Sequence, residues 1–233
     1  MSLPRIHEHS DTHALAAAVA QRLAQSIRDG VAKRGSAWLA LAGGSTPFAA
    51  YRLLASMDLP WSAVNLVATD ERWVDETHSA RNEAALRQAF AAAQCVKVHA
   101  LVPAHTESAP NTDTAEGTLA ALGVRPFDAV LLGMGMDAHI ASLFPKVTPA
   151  GAFDAGSRVA AITLTPDPLP PEAPFARVSL TLPRLLGTHW LGLMISGAGK
   201  RSVLETATER STLEAPVNAL LRAAPDLAIH WSP

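Results

Sequence analysis

Apolar residues fall four apart at Leu15, Val19, Leu23 and Ile27, a spacing that puts them on one face of a helix. Asp11 or Thr12 can cap that helix, and the pattern carries it to about Gly30. Short unbroken apolar runs then recur at Ala37 to Ala42, Val64 to Thr69 and Ala129 to Leu132. Runs of that length suit strands buried on both faces. Val96 to Val102, Arg158 to Leu164, Val178 to Leu182, Trp190 to Ile195 and Leu227 to Trp231 read as further strands. Helices are predicted from Pro47 to about Ala55, Asn82 to Ala93, Asp113 to Leu122, Ala198 to about Glu209 and Pro216 to Arg222. Pro166 to Pro174 holds five prolines and reads as a loop.

Strands alternating with helices predict an α/β fold: a mostly parallel, Rossmann-like sheet with helices on both faces. No internal repeat or domain boundary interrupts the pattern, so residues 1–233 are expected to form one domain. In such sheets ligands bind beyond the carboxyl ends of the strands. The segments richest in chemistry follow Ala42, Thr69 and Leu132, which points to a single site.

Composition narrows the function. The chain has 48% hydrophobic residues, enough for a substantial core. Nineteen basic residues against 21 acidic ones give a net charge of −2, without the basic excess of a nucleic-acid binder. The single cysteine, Cys95, excludes an intrachain disulfide and fits a reducing compartment. The N-terminal segment is polar and lacks the apolar core of a signal peptide. No apolar stretch reaches the roughly 18 residues of a membrane span. A cytoplasmic monomer or homodimer, with no membrane or nucleic-acid partner, is the expectation. His7, His9 and His13 crowd the N-terminus but lack the spacing of a known metal site. No metal and no cofactor are expected.

Four segments carry candidate chemistry. Gly43-Gly44-Ser45-Thr46-Pro47 follows a strand and opens a helix. Its glycines let backbone approach a ligand closely, Ser45 or Thr46 can cap the helix, and free amides there attract phosphate. It has neither Walker nor dinucleotide spacing. Asp70-Glu71-Arg72 ends another strand, where the Arg72 guanidinium can grip an oxyanion. In Asp137-Ala138-His139 the imidazole can serve as a general base, and the nearby carboxylate can orient it. Lys200, after Ser196-Gly197-Ala198-Gly199, can reach a phosphate as a point charge.

In order along the chain, these segments resemble the 6-phosphogluconolactonase family. The likeness runs from Leu39 to Trp231. Gly43 through Pro47 match the family's glycine loop, and Asp70, Glu71 and Arg72 match its Asp-Glu-Arg turn. Asn82 matches the Asn at the following helix start, Arg177 an Arg-bearing strand, and Gly197 to Lys200 the lysine turn. The most specific stretch is Gly133-Met134-Gly135-Met136-Asp137-Ala138-His139-Ile140-Ala141-Ser142-Leu143-Phe144-Pro145. Three residues depart from the family's pattern: Ala138 for Gly, Ile140 for Thr, and Arg81 for Ser. If position 138 needs a positive φ, Ala costs on the order of 1 kcal/mol there.

The resemblance implies hydrolysis of 6-phospho-D-glucono-1,5-lactone to 6-phosphogluconate, a step of the oxidative pentose phosphate pathway. It implies His139 as general base, Asp137 as its orienting group, and Arg72 as a cation for the intermediate. Gly43, Gly44, Ser45, Thr46, Asp70, Asn82, Arg177 and Lys200 would then bind the substrate and its phosphate. The related glucosamine-6-phosphate deaminases read Asp-Gly-His-Ile-Ala-Phe-Asn-Glu-Pro in the histidine segment. Ile140 agrees with them, but the Asn-Glu before Pro145 is absent. A sugar-phosphate-sensing domain on the same fold would usually carry a DNA-binding segment, and no basic helix-turn-helix appears in this chain.

Overall fold

A computed structural model describes residues 3–123, 125–171 and 173–233. The chain runs β1 (Ile6–Glu8), α1 (Thr12–Arg34), β2 (Ala37–Leu41), α2 (Ser45–Ala55), β3 (Val64–Ala68), β4 (Asp70–Arg72), α3 (Asn82–Ala89) and β5 (Lys97–His99). It continues through α4 (Asp113–Leu122), β6 (Ala129–Leu132), β7 (Ala161–Leu164), β8 (Arg177–Leu180), α5 (Leu182–Leu186), β9 (Leu191–Ser196), α6 (Ala198–Ala207), α7 (Pro216–Ala223) and β10 (Ala228–Ser232).

Seven strands form a parallel sheet in the order β1-β10-β9-β6-β2-β3-β5. Every residue of β2, β3 and β6 is buried, as a sheet covered on both faces requires. Helices α1, α2 and α3 pack side by side, and α5, α6 and α7 form a second group. A feature not expected from the apolar pattern is a second, antiparallel sheet of order β4-β8-β7. Thr69 is its hinge: its N–H donates to Leu41 O in the large sheet, and its carbonyl accepts from Leu180 N at the edge of the small one.

Several boundaries differ from expectation for identifiable reasons. Helix α1 is capped by Asp11, whose side chain accepts from Ala14 N, but it runs past Gly30 to Arg34 and ends on left-handed Gly35. Gly30 is a packing glycine, because a Cβ there would lie 2.5 Å from the Asp128 carboxylate. That carboxylate, 4% exposed, receives Trp38 N and the Arg34 guanidinium. Helix α2 starts at Ser45, not Pro47, with Gly44 in the cap position and no side-chain cap. Asp70-Glu71-Arg72 is a strand rather than a turn, and Leu182 opens α5 instead of ending a strand. Among the described residues, no helix is long and apolar enough to cross a membrane.

Two of the N-terminal histidines are absorbed into the fold. Parallel pairing of β1 with β10 sets His7 opposite His230. The rings of His7 and His9 both stack on His230, at centroid distances of 5.0 and 5.3 Å. His9 Nε2 and His230 Nδ1 are hydrogen-bonded at 3.0 Å. Burial pushes His230 down to about 4, and the charges of His7, His9 and Arg22 push the same way. The unfolded chain's imidazole titrates near 6.5, so between those values the unfolded state binds more protons. The stack's contribution is therefore complete above about pH 6.5 and is lost as pH falls toward about 4. Melting temperature measured across that window should fall with acid, and His230→Phe should flatten the decline. An equally steep decline in the variant would contradict the assignment.

Candidate active site

The order of strands creates the site. From β2 the chain moves outward through β3 to β5, then returns to place β6 on the other side of β2 and continues outward to β9. The loops after β2 and β6 thus diverge and leave a crevice at the carboxyl edge. A cavity of about 510 Å³ occupies it. Its lining comes from the loop after β2 (Ala42 to Pro47), β4 (Asp70, Arg72), the start of α3 (Asn82), the loop after β6 (Gly133, Met134, Gly135, His139, Ala141), Met194 on β9 and Lys200 on α6.

Gly44 has φ 92°, a conformation that favours glycine. The turn leaves the first amides of α2 without a side-chain cap, as an anion site requires. Gly43 is required by a close approach, since a Cβ there would lie 2.2 Å from Asn82 Oδ1. Asn82 in turn donates from Nδ2 to Asp70 O at 2.7 Å. Across the cavity Gly197, φ 87°, precedes α6 in the same way and brings Lys200 to the lining. Burial lowers the Lys200 ammonium from its ordinary value, and no acidic side chain among the described residues offsets that shift.

Alternation along β4 explains the Asp-Glu-Arg order. Residues 70 and 72 line the cavity, while Glu71 points to the opposite side. The Asp70 carboxylate accepts from Ser142 Oγ at 2.6 Å and Thr69 Oγ1 at 3.1 Å, which fixes its direction. Arg72 spends Nη1 on Ala80 O at 2.8 Å, and its Nε has no partner among the described residues.

The segment after β6 holds the imidazole. Gly135 N donates to His139 O at 3.0 Å, and Ala138 N donates to Gly135 O at 3.1 Å. Ala138 has φ 70° and Ala141 φ 48°, both left-handed. The strain expected of Ala at position 138 is therefore present, and its methyl is fully buried. His139 Nδ1 lies 2.6 Å from Asp137 Oδ1. A carboxylate can only accept, so Nδ1 carries the proton and the Nε2 lone pair is left for the cavity. Burial pushes the Asp137 carboxyl up, but the hydrogen bonds and charge of His139 outweigh it and hold the group below its ordinary value. The Phe144 ring packs on the imidazole with centroids 4.4 Å apart.

All but two of the site residues expected from sequence line the cavity. Asp137 touches it through His139. Arg177, paired with Arg72 across β4 and β8, is 2% exposed and donates from Nη1 to Phe175 O and from Nη2 to Ala173 O. Burial pushes it down to about 10, and neighbouring Arg72 adds to that. Sequence reasoning gave no role to Ser142, Met134 or Met194. Ser142 stood within the quoted motif, but its bond to Asp70 spans 72 positions of sequence.

An imidazole–carboxylate pair at the switch point of a parallel sheet, facing two uncapped helix starts and two cations, defines an α/β enzyme. A family model described as glucosamine-6-phosphate isomerases/6-phosphogluconolactonase matches residues 10–231. A 6-phosphogluconolactonase of Rhizobium meliloti is 34% identical, with 98% of each chain covered. One from Pseudomonas putida is 32% identical over 98% of this chain and 93% of its own. The crystal structure of a 6-phosphogluconolactonase from Shewanella baltica superposes with a TM-score of 0.88 at 29% identity, covering 99% of this chain and 98% of that one. The chain belongs to the glucosamine-6-phosphate isomerase/6-phosphogluconolactonase family.

The orientation of His139 depends on the absence of a side chain at 135. A Cβ there would lie 2.2 Å from His139 Nδ1 and 2.5 Å from Asp137 Oδ1. Gly135→Ala should break that hydrogen bond and leave the fold intact. In NMR spectra the downfield His139 Nδ1–H signal should disappear. Gly151→Ala, where nothing lies within 4 Å of the added methyl, is the control. An unchanged signal in Gly135→Ala would contradict the geometry.

Proposed function

We propose that this protein hydrolyses 6-phospho-D-glucono-1,5-lactone to 6-phosphogluconate. The observation that carries the reading is the imidazole of His139, oriented by Asp137 and facing the same cavity as Ser45, Thr46 and Lys200. The family joins two activities, so membership alone does not choose between them. Phe144 favours the lactonase. It stands where the deaminase pattern carries Glu, and its apolar ring, not a second carboxyl group, lies against His139. The lactonase names of the relatives support the same choice.

The substrate's phosphate rests on the α2 amides, the Ser45 and Thr46 hydroxyls and the Lys200 ammonium. Asp70 and Asn82 hold sugar hydroxyls. His139 Nε2 takes a proton from water as the oxygen attacks the lactone carbonyl. The tetrahedral intermediate places negative charge on the former carbonyl oxygen, which Arg72 stabilises. Collapse breaks the bond between the carbonyl carbon and the ring oxygen, and the imidazolium returns its proton to that oxygen. Asp137 stabilises the imidazolium in between. His139 thus carries one water proton to the ring oxygen, the carboxylic acid so formed releases the other to solvent, and no step draws on a metal or an organic cofactor.

Freshly prepared lactone, followed at slightly acidic pH to suppress spontaneous opening, tests the reading. The phosphorylated lactone should be hydrolysed far faster than unphosphorylated gluconolactone. Ammonia release from glucosamine 6-phosphate without lactone hydrolysis would favour the deaminase. Among variants, His139→Ala should lower kcat by about 10²- to 10⁴-fold, and Asp137→Asn should also be impaired. Lys200→Ala should chiefly raise KM, the pattern of binding lost equally in ground and transition states. A folded His139→Ala variant with normal kcat would overturn the mechanism.

A further inference from the structure

Beneath the cavity, on the far side of β4, lies a buried pair of charges that the reaction itself does not use. Glu71 is 0% exposed and Arg81 is 1% exposed. Glu71 Oε1 accepts from Arg72 N and Asn82 N, both at 2.7 Å, and Oε2 accepts from Glu83 N at 2.7 Å. One carboxylate thus fixes the backbone of two cavity residues and caps the start of α3. Arg81 Nε lies 3.7 Å from Glu71 Oε2, an ion pair without a hydrogen bond. The rest of the Arg81 guanidinium ties down the surrounding loops. Nη1 donates to Val74 O at 2.6 Å and Pro103 O at 3.1 Å, while Nη2 donates to Val102 O and to Glu83 Oε2.

We propose that Glu71 and Arg81 are positioning residues, which aim the Arg72 guanidinium at the reacting carbonyl without touching the substrate. Two links carry the effect. Glu71 holds the backbone N–H of Arg72, and the peptide carbonyl of Ala80, immediately before Arg81, accepts from Arg72 Nη1 at 2.8 Å. The guanidinium is thereby held from both ends of the loop between β4 and α3. Arg81 acts through the loop it ties down, and its charge adds to the pull of the three amides on Glu71. Burial pushes the Glu71 carboxyl up to about 7, against the three amides and Arg81 that pull it down. Without Arg81 the carbonyls of Val74, Pro103 and Val102 lose their common donor, and the loop that carries the Ala80 carbonyl is no longer tied in place. A serine, usual at position 81 in the resemblance described above, has neither the charge nor the reach, so this chain uses its own device to hold Arg72.

The inference rests on the lactonase reading of the site, and a double-mutant cycle tests the two separately. Arg81→Ser, Arg81→Lys and Glu71→Gln would each be made alone and with Arg72→Ala, and kcat, KM and melting temperature measured. Arg81→Ser should lower kcat by about 10- to 100-fold, the effect of misplacing a catalytic group, with KM changed much less. Arg81→Lys should recover part of the loss. In the Arg72→Ala background the same changes should cost no more than about 3-fold, because nothing remains to be aimed. If Arg81→Ser does not fold, the isosteric Glu71→Gln carries the test. Losses that multiply in full in the Arg72→Ala background, or a folded Glu71→Gln with wild-type kcat, would overturn the proposal. A wild-type protein inactive on the lactone would remove the reading of the site. An active wild type with multiplying losses would remove the positioning role alone.

Discussion

The reversal of strand order between β2 and β6 is the constraint on which the rest of the structure depends. Parallel neighbours whose connections leave in opposite directions cannot both cover the crevice between their ends. The site therefore lies beyond the ends of β2 and β6, strands in which every residue is buried. The glycine loop after β2 and the histidine segment after β6 are held on opposite walls by this rigid base. The small antiparallel sheet adds a third wall. Thr69 turns the chain out of β3, so that Asp70 and Arg72 enter the cavity at the height of the helix starts.

Backbone strain is concentrated in the same place. Gly44 and Gly197 take up positive φ at no steric cost, and each frees a helix start toward the cavity. Ala138 and Ala141 take it up at a cost on the order of 1 kcal/mol each. That cost is offset by packing: the Ala138 methyl is buried, and its carbonyl accepts from Val217 N at the start of α7. A segment fixed from behind in this way holds His139 and Asp137 in one orientation before any ligand arrives, as preorganised acid–base chemistry requires.

Much of this was legible in the amino-acid sequence wherever the controlling interaction is local. Strands β2, β3 and β6 read clearly because burial on both faces demands unbroken apolar runs. Position 138 could be suspected of positive φ because an Ala stood in place of Gly. The misreadings share a cause, a partner far along the chain. Gly30 looks like a helix stop until Asp128 packs against it. Three charged residues, 70 to 72, do not look like a strand, and only pairing with β8 makes them one. Arg177, expected at the site, lies beside Arg72 but outside the cavity lining, with its guanidinium on the carbonyls of Ala173 and Phe175. Arg81 was visible as an odd residue without a role, because its role is defined by Glu71 and by carbonyls from two other loops.

The proposed function divides the cavity into an anion-binding wall and a proton-transfer wall. A crystal structure of the protein with 6-phosphogluconate bound measures it directly. The phosphate should lie on the α2 amides with Lys200, and the carboxylate of the opened lactone should lie within hydrogen-bonding distance of His139 Nε2 and Arg72. A phosphate seated against His139, or a ligand bound outside this cavity, would contradict that division.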